Sequence, residues 1–409
     1  MQEILNLARR LVYPAAICFL LWAGWQVLFR PYISDSSGKI IAVYDGDTTV
    51  QDCTEAEHIT PDKENLSEEA LAGFCAAWSA LPKARPEVDL VNVHNEVDDQ
   101  VESKTTKMYQ QLASRVALGP VAGVISLLAS PDSPPVVRFC RTMQIPLLLA
   151  VAANDDLMAP AEDTSGLVFR MMPTNGRQAA DMATWLGQRA HGPPLRVAAF
   201  HEPNAFGEFL QRQLNHELRP KTRNKEIALS NFEVTEQLEF ADLMPELWCE
   251  KFDMIVYLGF APRAMDLLNK LRWYRADDQV TCPSKDVFQK LTVLLSSGAY
   301  NDELNDREKY AFPFEVFAML PTHPVKEAKP GGPATSQDDD ETAASEYGYD
   351  SYALLETLAA EKFKIPSQPM GTSKTGHDYH FDKDGELMPA EKNHYQAYLL
   401  ASSRPERKQ

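Results

Sequence analysis

The segment Val121–Leu157 constrains the fold of this chain more than any other part of the sequence. Val121–Leu128 is a continuous apolar run, which is typical of a strand that is covered on both faces. Pro135–Met143 has the composition of a helix, and Ile145–Val151 is a second apolar run. The order strand, helix, strand predicts a pair of parallel strands in one sheet, because such a pair needs a crossover connection.

Small polar residues follow both predicted strands. The turn 129–133 contains Ser130, and either Asp132 or Ser133 can cap the helix that follows. The second strand ends in Ala-Ala-Asn-Asp. Since parallel strands bring their carboxyl ends to the same edge, where open α/β sheets bind ligands, we expect Ser130 and Val151–Asp155 to form adjacent parts of one cleft wall.

Apolar strands and amphipathic helices alternate along most of the chain, which predicts an α/β protein with doubly wound parallel sheets. Further predicted strands are Lys39–Tyr44, Val88–Val93, Leu195–Phe200, Ile227–Phe232, Phe252–Leu258 and Leu291–Ser296. Predicted helices are Leu66–Leu81, Ser103–Leu118, Gln178–His191, Glu208–Glu217, Phe240–Glu250, Ala261–Trp273 and Tyr347–Lys364.

This succession resembles the type I periplasmic-binding-protein fold, in the branch of the branched-chain amino acid (Leu/Ile/Val) substrate-binding proteins of ABC transporters and the receptor ligand-binding regions. Val124–Leu157 follows the pattern of that family without a gap, and the resemblance extends over about residues 38–400. It implies two lobes, each with a doubly wound parallel sheet, joined by a hinge of three strands. The lobes would close around a small ligand.

The resemblance also implies how the chain is divided. Lobe one would contain residues 39–171 and 316–375, with a Pro/Gly/Ser-rich and acidic insertion at 323–346. Lobe two would contain residues 172–315 and 376–400, including a hairpin at His380–Leu387. Residues 31–38 would form a linker and residues 401–409 a tail.

The N-terminus contains an apolar run, Leu11–Phe29, preceded by Arg9 and Arg10. A helix of this length would span about 28 Å, close to one hydrocarbon core. A cleaved signal peptide and a lipoprotein linked through Cys18 are alternatives, and a buried core helix is another. The run is long for a signal peptide, and Cys18 lies in its middle. We therefore predict an uncleaved transmembrane signal anchor at residues 11–30.

The arginines before the anchor predict that residues 1–10 are cytoplasmic and that the rest is periplasmic or otherwise extracytoplasmic. The predicted location is the cell membrane, with a single pass. Because so short a tail cannot carry a signalling module, an integral-membrane partner would have to act on the bound state. That partner would be either an ABC transporter or a signalling chain. The net charge of −18 argues against nucleic acid as a partner.

The six cysteines leave the redox state open. Cys53–Cys75 and Cys249–Cys282 are possible disulfides if the compartment is oxidising. Buried, reduced cysteines are an equally acceptable interpretation.

The resemblance implies ligand contacts at a small set of positions, of which Ser130 keeps the hydroxyl that would bind a carboxylate. Ala153 replaces a hydroxyl residue, Phe206 and Phe260 stand where tyrosine is expected, and Gly298 stands where an acidic residue is expected. These changes indicate either a more apolar ligand or a cleft that binds nothing. The predicted ligand-binding residues are Ser130, Asp132, Val151, Ala153, Asn154, Phe206, Phe260 and Tyr300.

No catalytic signature, phosphate-binding loop or metal-ligand cluster is present, so we expect no enzymatic activity, no cofactor and no metal. His201 and Glu202, which follow a predicted strand, are the one acid/base pair to consider. Two hypotheses remain: a membrane-anchored solute-binding protein for an amino-acid-like or more apolar ligand, and a ligand-free scaffold that uses the same fold for docking.

Overall fold

The computed structural model places the following residues well enough to describe: 38–47, 50, 52–56, 65–80, 87–94, 101–158, 167–235, 240, 243, 247, 252–274, 291–300, 304, 312, 314–321, 343–360, 370–371, 378–379 and 395–401. They divide into two compact units. Unit 1 contains the described residues up to 172 and those from 343 to 379. Unit 2 contains those from 173 to 321 and 395–401.

The helices and strands alternate as the sequence predicts. The strands are β1 Lys39–Tyr44, β2 Val88–Asn92, β3 Val121–Ser126, β4 Leu147–Leu149, β5 Val168–Arg170, β6 Leu195–His201, β7 Ile227–Glu233, β8 Met254–Leu258, β9 Thr292–Leu295, β10 Glu315–Pro321, β11 Met370–Gly371, β12 Asp378–Tyr379 and β13 Tyr395–Ala401. The helices are α1 Cys53–Ala56, α2 Leu66–Ala80, α3 Val101–Ala117, α4 Ser133–Met143, α5 Asn175–Gly187, α6 Ala205–Arg223, α7 Ala261–Tyr274 and α8 Ala343–Ala360, with 3-10 turns at Asp155–Leu157 and Ser297–Ala299.

Unit 1 is built on a five-stranded sheet in the order β2-β1-β3-β4-β5, and all of its neighbouring strands are parallel. Both faces are covered. Along β1, Ala42 and Tyr44 face one core cluster, whereas Ile41 and Val43 face the other. This double burial is the reason why residues 40–44 of β1 are apolar at every position rather than at alternate ones.

Helices α2 and α8 pack closely together on one face of unit 1. Their close approach depends on Gly348, because an added Cβ there would collide with the backbone of Ala70. A disulfide joins Cys53 in α1 to Cys75 in α2, so the oxidised alternative holds for this pair. Cys140 is a buried free thiol, and burial raises its pKa.

Unit 2 is built on a six-stranded sheet in the order β13-β10-β9-β8-β6-β7. Its neighbouring strands are parallel except for β13, which runs antiparallel to β10. Alternate residues again face two cores: Phe200 and Tyr257 belong to one cluster, and Val256 and Leu258 to the other.

Strand β10 corrects one part of the predicted division. The sequence analysis places residues 316–321 in lobe one, but β10 pairs in parallel with β9 and therefore lies in the sheet of unit 2. The pairing buries Val316 and Ala318 against one core of unit 2, and it buries Met319 against the other. Residues 378–379, which the prediction assigns to lobe two, pair with β11 and belong to unit 1.

Several predictions lie outside the described residues. They are the transmembrane anchor at 11–30, most of the helix Phe240–Glu250, the insertion 323–346, the hairpin His380–Leu387 and the pair Cys249–Cys282. In the part of the chain that the structure describes, no helix has the length and apolar character needed to cross a membrane.

Candidate functional site

Ser130 lies at the carboxyl edge of the unit 1 sheet, beyond the end of β3, and it contacts the turn that follows the neighbouring strand β4. Its Oγ accepts hydrogen bonds from the backbone N–H groups of Ala153, at 2.9 Å, and Asn154, at 3.0 Å. The two turns are therefore adjacent, as we expect from the parallel strand order. Because both lone pairs of the hydroxyl are used, Ser130 can offer an outside group only its proton.

The other unit 1 candidates serve mainly the local structure. Val151 and Ala153 are 5% and 7% exposed. Asn154 caps the 3-10 turn that follows it, since its Oδ1 accepts a hydrogen bond from the backbone N–H of Asp156 at 3.0 Å. Asp132 occupies the N-cap position of α4 without a side-chain capping bond. Val151 and Ala153 are thus buried, whereas Asp132 and Asn154 are partly exposed.

A second polar cluster lies at the same sheet edge, and the sequence did not single out the histidine at its centre. His94, just after β2, lies between two carboxylates: its Nδ1 is 3.0 Å from Asp45 Oδ1 and its Nε2 is 3.4 Å from Asp47 Oδ1. The signal available in the sequence was the position of all three residues directly after neighbouring strands. The described residues contain no group of three His, Cys, Asp or Glu side chains that could hold a metal ion.

The loop that carries these carboxylates is held by the start of α2. The backbone N–H of Asp45 donates to Ser67 Oγ at 2.8 Å, and that of Asp47 donates to Glu68 Oε1 at 2.9 Å. The loop after β1 is thus positioned by side chains of α2. The Cys53–Cys75 disulfide also attaches α2 to α1.

Two phenylalanines lie together at the carboxyl edge of the unit 2 sheet. Phe206 comes from the first turn of α6, and Phe260 comes directly between β8 and α7. Their rings are stacked with centroids 5.2 Å apart and an interplanar angle of 28°. Phe260 is 47% exposed. The structure therefore brings together the two aromatic positions that the resemblance predicts, and it leaves one of the rings open.

Gly298 allows this stacked pair to lie close to the turn after β9. A Cβ at this position would be 2.9 Å from Phe206 Cε1 and 3.2 Å from Phe260 Cδ1. These separations are shorter than ordinary van der Waals contact, so a side chain here would push the rings away. The absence of an acidic residue at position 298 is thus linked to the aromatic pair.

The buried carboxylate of Glu202 holds the turn that carries Phe260. Its Oε1 accepts hydrogen bonds from Tyr257 Oη at 2.7 Å and from the backbone N–H of Phe260 at 2.8 Å. Its Oε2 accepts one from Asn204 Nδ2 at 2.7 Å. An added Cβ at Gly259 would overlap this carboxylate. Glu202 therefore positions the aromatic pair, and the geometry does not favour the acid/base role considered for His201 and Glu202.

Burial and the hydrogen bond to Glu202 both raise the pKa of Tyr257. The phenol consequently stays protonated and donates to the carboxylate at all physiological pH values. Tyr300, the last predicted contact, packs against the core cluster that contains Tyr257, whereas Phe206 packs against the cluster that contains Leu258.

Comparison with known proteins supports the fold through structure and not through sequence. The sequence matches no protein-family model and no curated protein. The structure is similar to a leucine binding protein, LivK, from Thermotoga maritima, with 15% identity and a TM-score of 0.59; the match covers 89% of this chain and 99% of that chain.

Two further solved structures are similar to this chain. An ABC transporter substrate-binding protein from Desulfitobacterium hafniense, in complex with Leu, has 14% identity and a TM-score of 0.55, covering 88% of this chain and 100% of that chain. An extracellular ligand-binding receptor from Rhodopseudomonas palustris has 14% identity and a TM-score of 0.57, covering 89% and 98%. The chain therefore has the fold of the branched-chain amino acid substrate-binding proteins, the type I periplasmic-binding-protein fold, and that prediction is confirmed.

Proposed function

We propose that this chain is a non-catalytic solute-binding protein that closes around a small, amino-acid-like or more apolar ligand. The observation that carries the proposal is the stacked pair Phe206–Phe260, whose exposed ring lies where open α/β sheets bind ligands. The similar structures are described as leucine-binding, substrate-binding and ligand-binding proteins, which supports the same role.

Ligand binding would be coupled to closure of the two lobes through the predicted three-strand hinge. The closed form would then be recognised by an integral-membrane partner, either an ABC transporter or a signalling chain. No nucleic acid partner is expected for a chain with a net charge of −18.

The proposal includes a single-pass anchor at residues 11–30, with the bulk of the chain periplasmic or otherwise extracytoplasmic. The disulfide Cys53–Cys75 supports this location, because disulfides persist in oxidising compartments. Fractionation of cells that produce the full chain tests it. The chain should stay in the membrane fraction after a carbonate wash and be digested by protease added to spheroplasts. Recovery in the soluble fraction, or protection from the protease, would contradict the anchor or its orientation.

Calorimetry on the detergent-solubilised full chain against pools of metabolites tests the binding function, and small-angle scattering tests closure. Binding of at least one pool, with compaction of the chain, is the expected result. The same pool should bind at least tenfold more weakly to the variant F260A. If no pool binds and the scattering profile never changes, the solute-binding function is wrong.

A scaffold without a ligand is the second candidate, and one observation favours it. At the edge of unit 1, Ser130 Oγ and the backbone N–H groups of Ala153 and Asn154 satisfy one another. A docking role predicts a stoichiometric protein partner in membrane pull-downs that survives the double variant S130A/F206A. Loss of the partner in that variant would argue against the scaffold.

A further inference from the structure

We infer that the ligand of this protein presents an uncharged aromatic ring, which stacks on the open face of Phe260. The inference rests on the proposed solute-binding function and specifies the class of ligand for the same site. Three features of the described residues carry it: an exposed aromatic face, a rigid support beneath that face, and the lack of an available counter-charge beside it.

Phe260 already forms half of an aromatic stack and is still 47% exposed. The ring lies on Phe206 with an interplanar angle of 28° and a centroid distance of 5.2 Å, within the range of favourable offset stacking. The other large exposed hydrophobic side chains among the described residues are Leu118 and Leu399, and neither belongs to an aromatic pair. A third planar ring continues the geometry of the stack, whereas a branched aliphatic group would use only part of the flat surface.

The stack is held in place before any ligand arrives. The backbone N–H of Phe260 donates to the buried carboxylate of Glu202, and the turn below the rings contains Gly298 instead of a residue with a side chain. A platform that is fixed in this way loses little conformational entropy on binding, which favours a rigid, planar ligand.

A charged amino-acid head group finds few free partners at the turn that carries Phe260. The carboxylate of Glu202 is 9% exposed and accepts hydrogen bonds from three donors, so it is not available to an ammonium group. The backbone N–H groups of Gly259 and Phe260 donate to Ser296 Oγ and to Glu202, so they are not available to a carboxylate. Because an unpaired buried charge is costly, this turn favours an uncharged ligand.

The experiment compares four probes on the full chain by calorimetry and ligand-observed NMR: benzamide, benzoate, benzylamine and L-leucine. They represent a neutral ring, an anionic ring, a cationic ring and an aliphatic zwitterion. We expect benzamide to bind at least tenfold more tightly than L-leucine and more tightly than either charged ring. Tighter binding of L-leucine would overturn the inference and leave the solute-binding function standing.

Variants locate the binding. F260A and F260L should each weaken benzamide binding about tenfold, because both remove the ring while F260L keeps the apolar volume. L118A, at an exposed apolar position outside the site, is the matched control and should bind as the unaltered chain does. G298A should also weaken binding by displacing the rings, whereas G119A, where a Cβ meets no atom within 4 Å, should not.

Thermal unfolding of each variant separates loss of the site from loss of the fold. Unchanged benzamide binding in a folded F260L variant would overturn the stacking. If benzamide fails to bind while a metabolite pool binds, the ligand class is wrong but the function stands. If no probe and no metabolite pool binds, both the ligand class and the solute-binding function are wrong.

Discussion

The carboxyl edges of the two sheets are built from the same kind of strand order but offer different surfaces. At the edge of unit 1, the hydroxyl of Ser130 and the backbone N–H groups of Ala153 and Asn154 satisfy one another. At the edge of unit 2, the carboxylate of Glu202 is buried and holds the turn, and the side chain of Phe260 is exposed. Equivalent positions in a fold thus do not imply equivalent chemistry, because side-chain pairing decides which groups a ligand can reach.

The supports of the two edges also differ. The loop region of unit 1 is cross-linked by the covalent bond Cys53–Cys75, whereas the turn in unit 2 is held by the hydrogen bonds of one carboxylate. The following four predictions test this contrast in order of expected size.

Removal of the disulfide should have the largest effect. The bridge closes a segment with a sequence separation of 22, and the double variant C53A/C75A should lower the free energy of unfolding by about 3 kcal/mol. Urea denaturation monitored by circular dichroism measures it. Dithiothreitol should lower the stability of the unaltered chain by a similar amount but leave C53A/C75A unchanged. If dithiothreitol lowers the stability of the unaltered chain and of C53A/C75A equally, the Cys53–Cys75 disulfide is not the source of the stabilisation.

Truncation of Glu202 should have the next largest effect. In E202A the hydroxyl of Tyr257, the N–H of Phe260 and the amide of Asn204 all lose their acceptor, and we expect a loss of about 2 kcal/mol in the free energy of unfolding. E202Q, which keeps one carbonyl acceptor, should lose less. E208A, at an exposed position on α6, is the matched control and should change stability by less than about 0.5 kcal/mol. Equal losses in E202A and E208A would refute the supporting role.

Removal of the Ser130 hydroxyl should have a smaller effect. S130A leaves the N–H groups of Ala153 and Asn154 without their acceptor, but water can reach this partly exposed turn, so we expect a loss of about 1 kcal/mol. S114A, whose exposed hydroxyl bonds only to a carbonyl of its own helix, serves as the control. Hydrogen exchange at the amides of Ala153 and Asn154 should accelerate in S130A alone, and unchanged exchange would mean that Ser130 does not join the two turns.

The pH dependence of Tyr257 should give the smallest effect. Burial and the hydrogen bond to Glu202 raise its pKa in the folded chain above the ordinary tyrosine value of about 10, so the folded state holds this proton more tightly than the unfolded state does. The stabilisation is fully present below about pH 10 and is lost as the pH rises above it. From pH 9 to pH 11 the unaltered chain should lose about 1 kcal/mol more stability than Y257F.

Tyr44 in unit 1 has a raised pKa for the same main reason, burial. Y257F should therefore keep a part of the alkaline loss, and the double variant Y44F/Y257F should lose the least. Parallel stability curves for the unaltered chain and Y257F between pH 9 and pH 11 would contradict the contribution of Tyr257.

Most elements of the fold could be predicted from the sequence, because burial on both faces leaves a clear local signal. The strand Lys39–Tyr44 has its predicted ends, and the predicted helix Ala261–Trp273 ends one position further on. The place of β10 could not be predicted in this way. Its apolar residues fit either sheet, and only pairing with β9 decides which core buries them.

The candidate site was predictable in part. The closeness of Ser130 and Ala153 follows from parallel strand order, and the positions of Phe206 and Phe260 follow from the resemblance. The engagement of Glu202 with Tyr257, and of His94 with Asp45, could not be predicted, since each joins residues that are far apart in the chain. Those pairings determine which polar groups a ligand can use.

The sequence alone determined the alternation of strands and helices and the parallel sheets, because apolar periodicity reflects how each segment is buried. Only the tertiary structure decided that Phe260 is exposed while the carboxylate of Glu202 is hydrogen-bonded. It also decided that the hydroxyl of Ser130 accepts hydrogen bonds from neighbouring backbone amides. The physical reason is that burial patterns are local in the chain, whereas hydrogen-bond partners are chosen by contacts between distant segments.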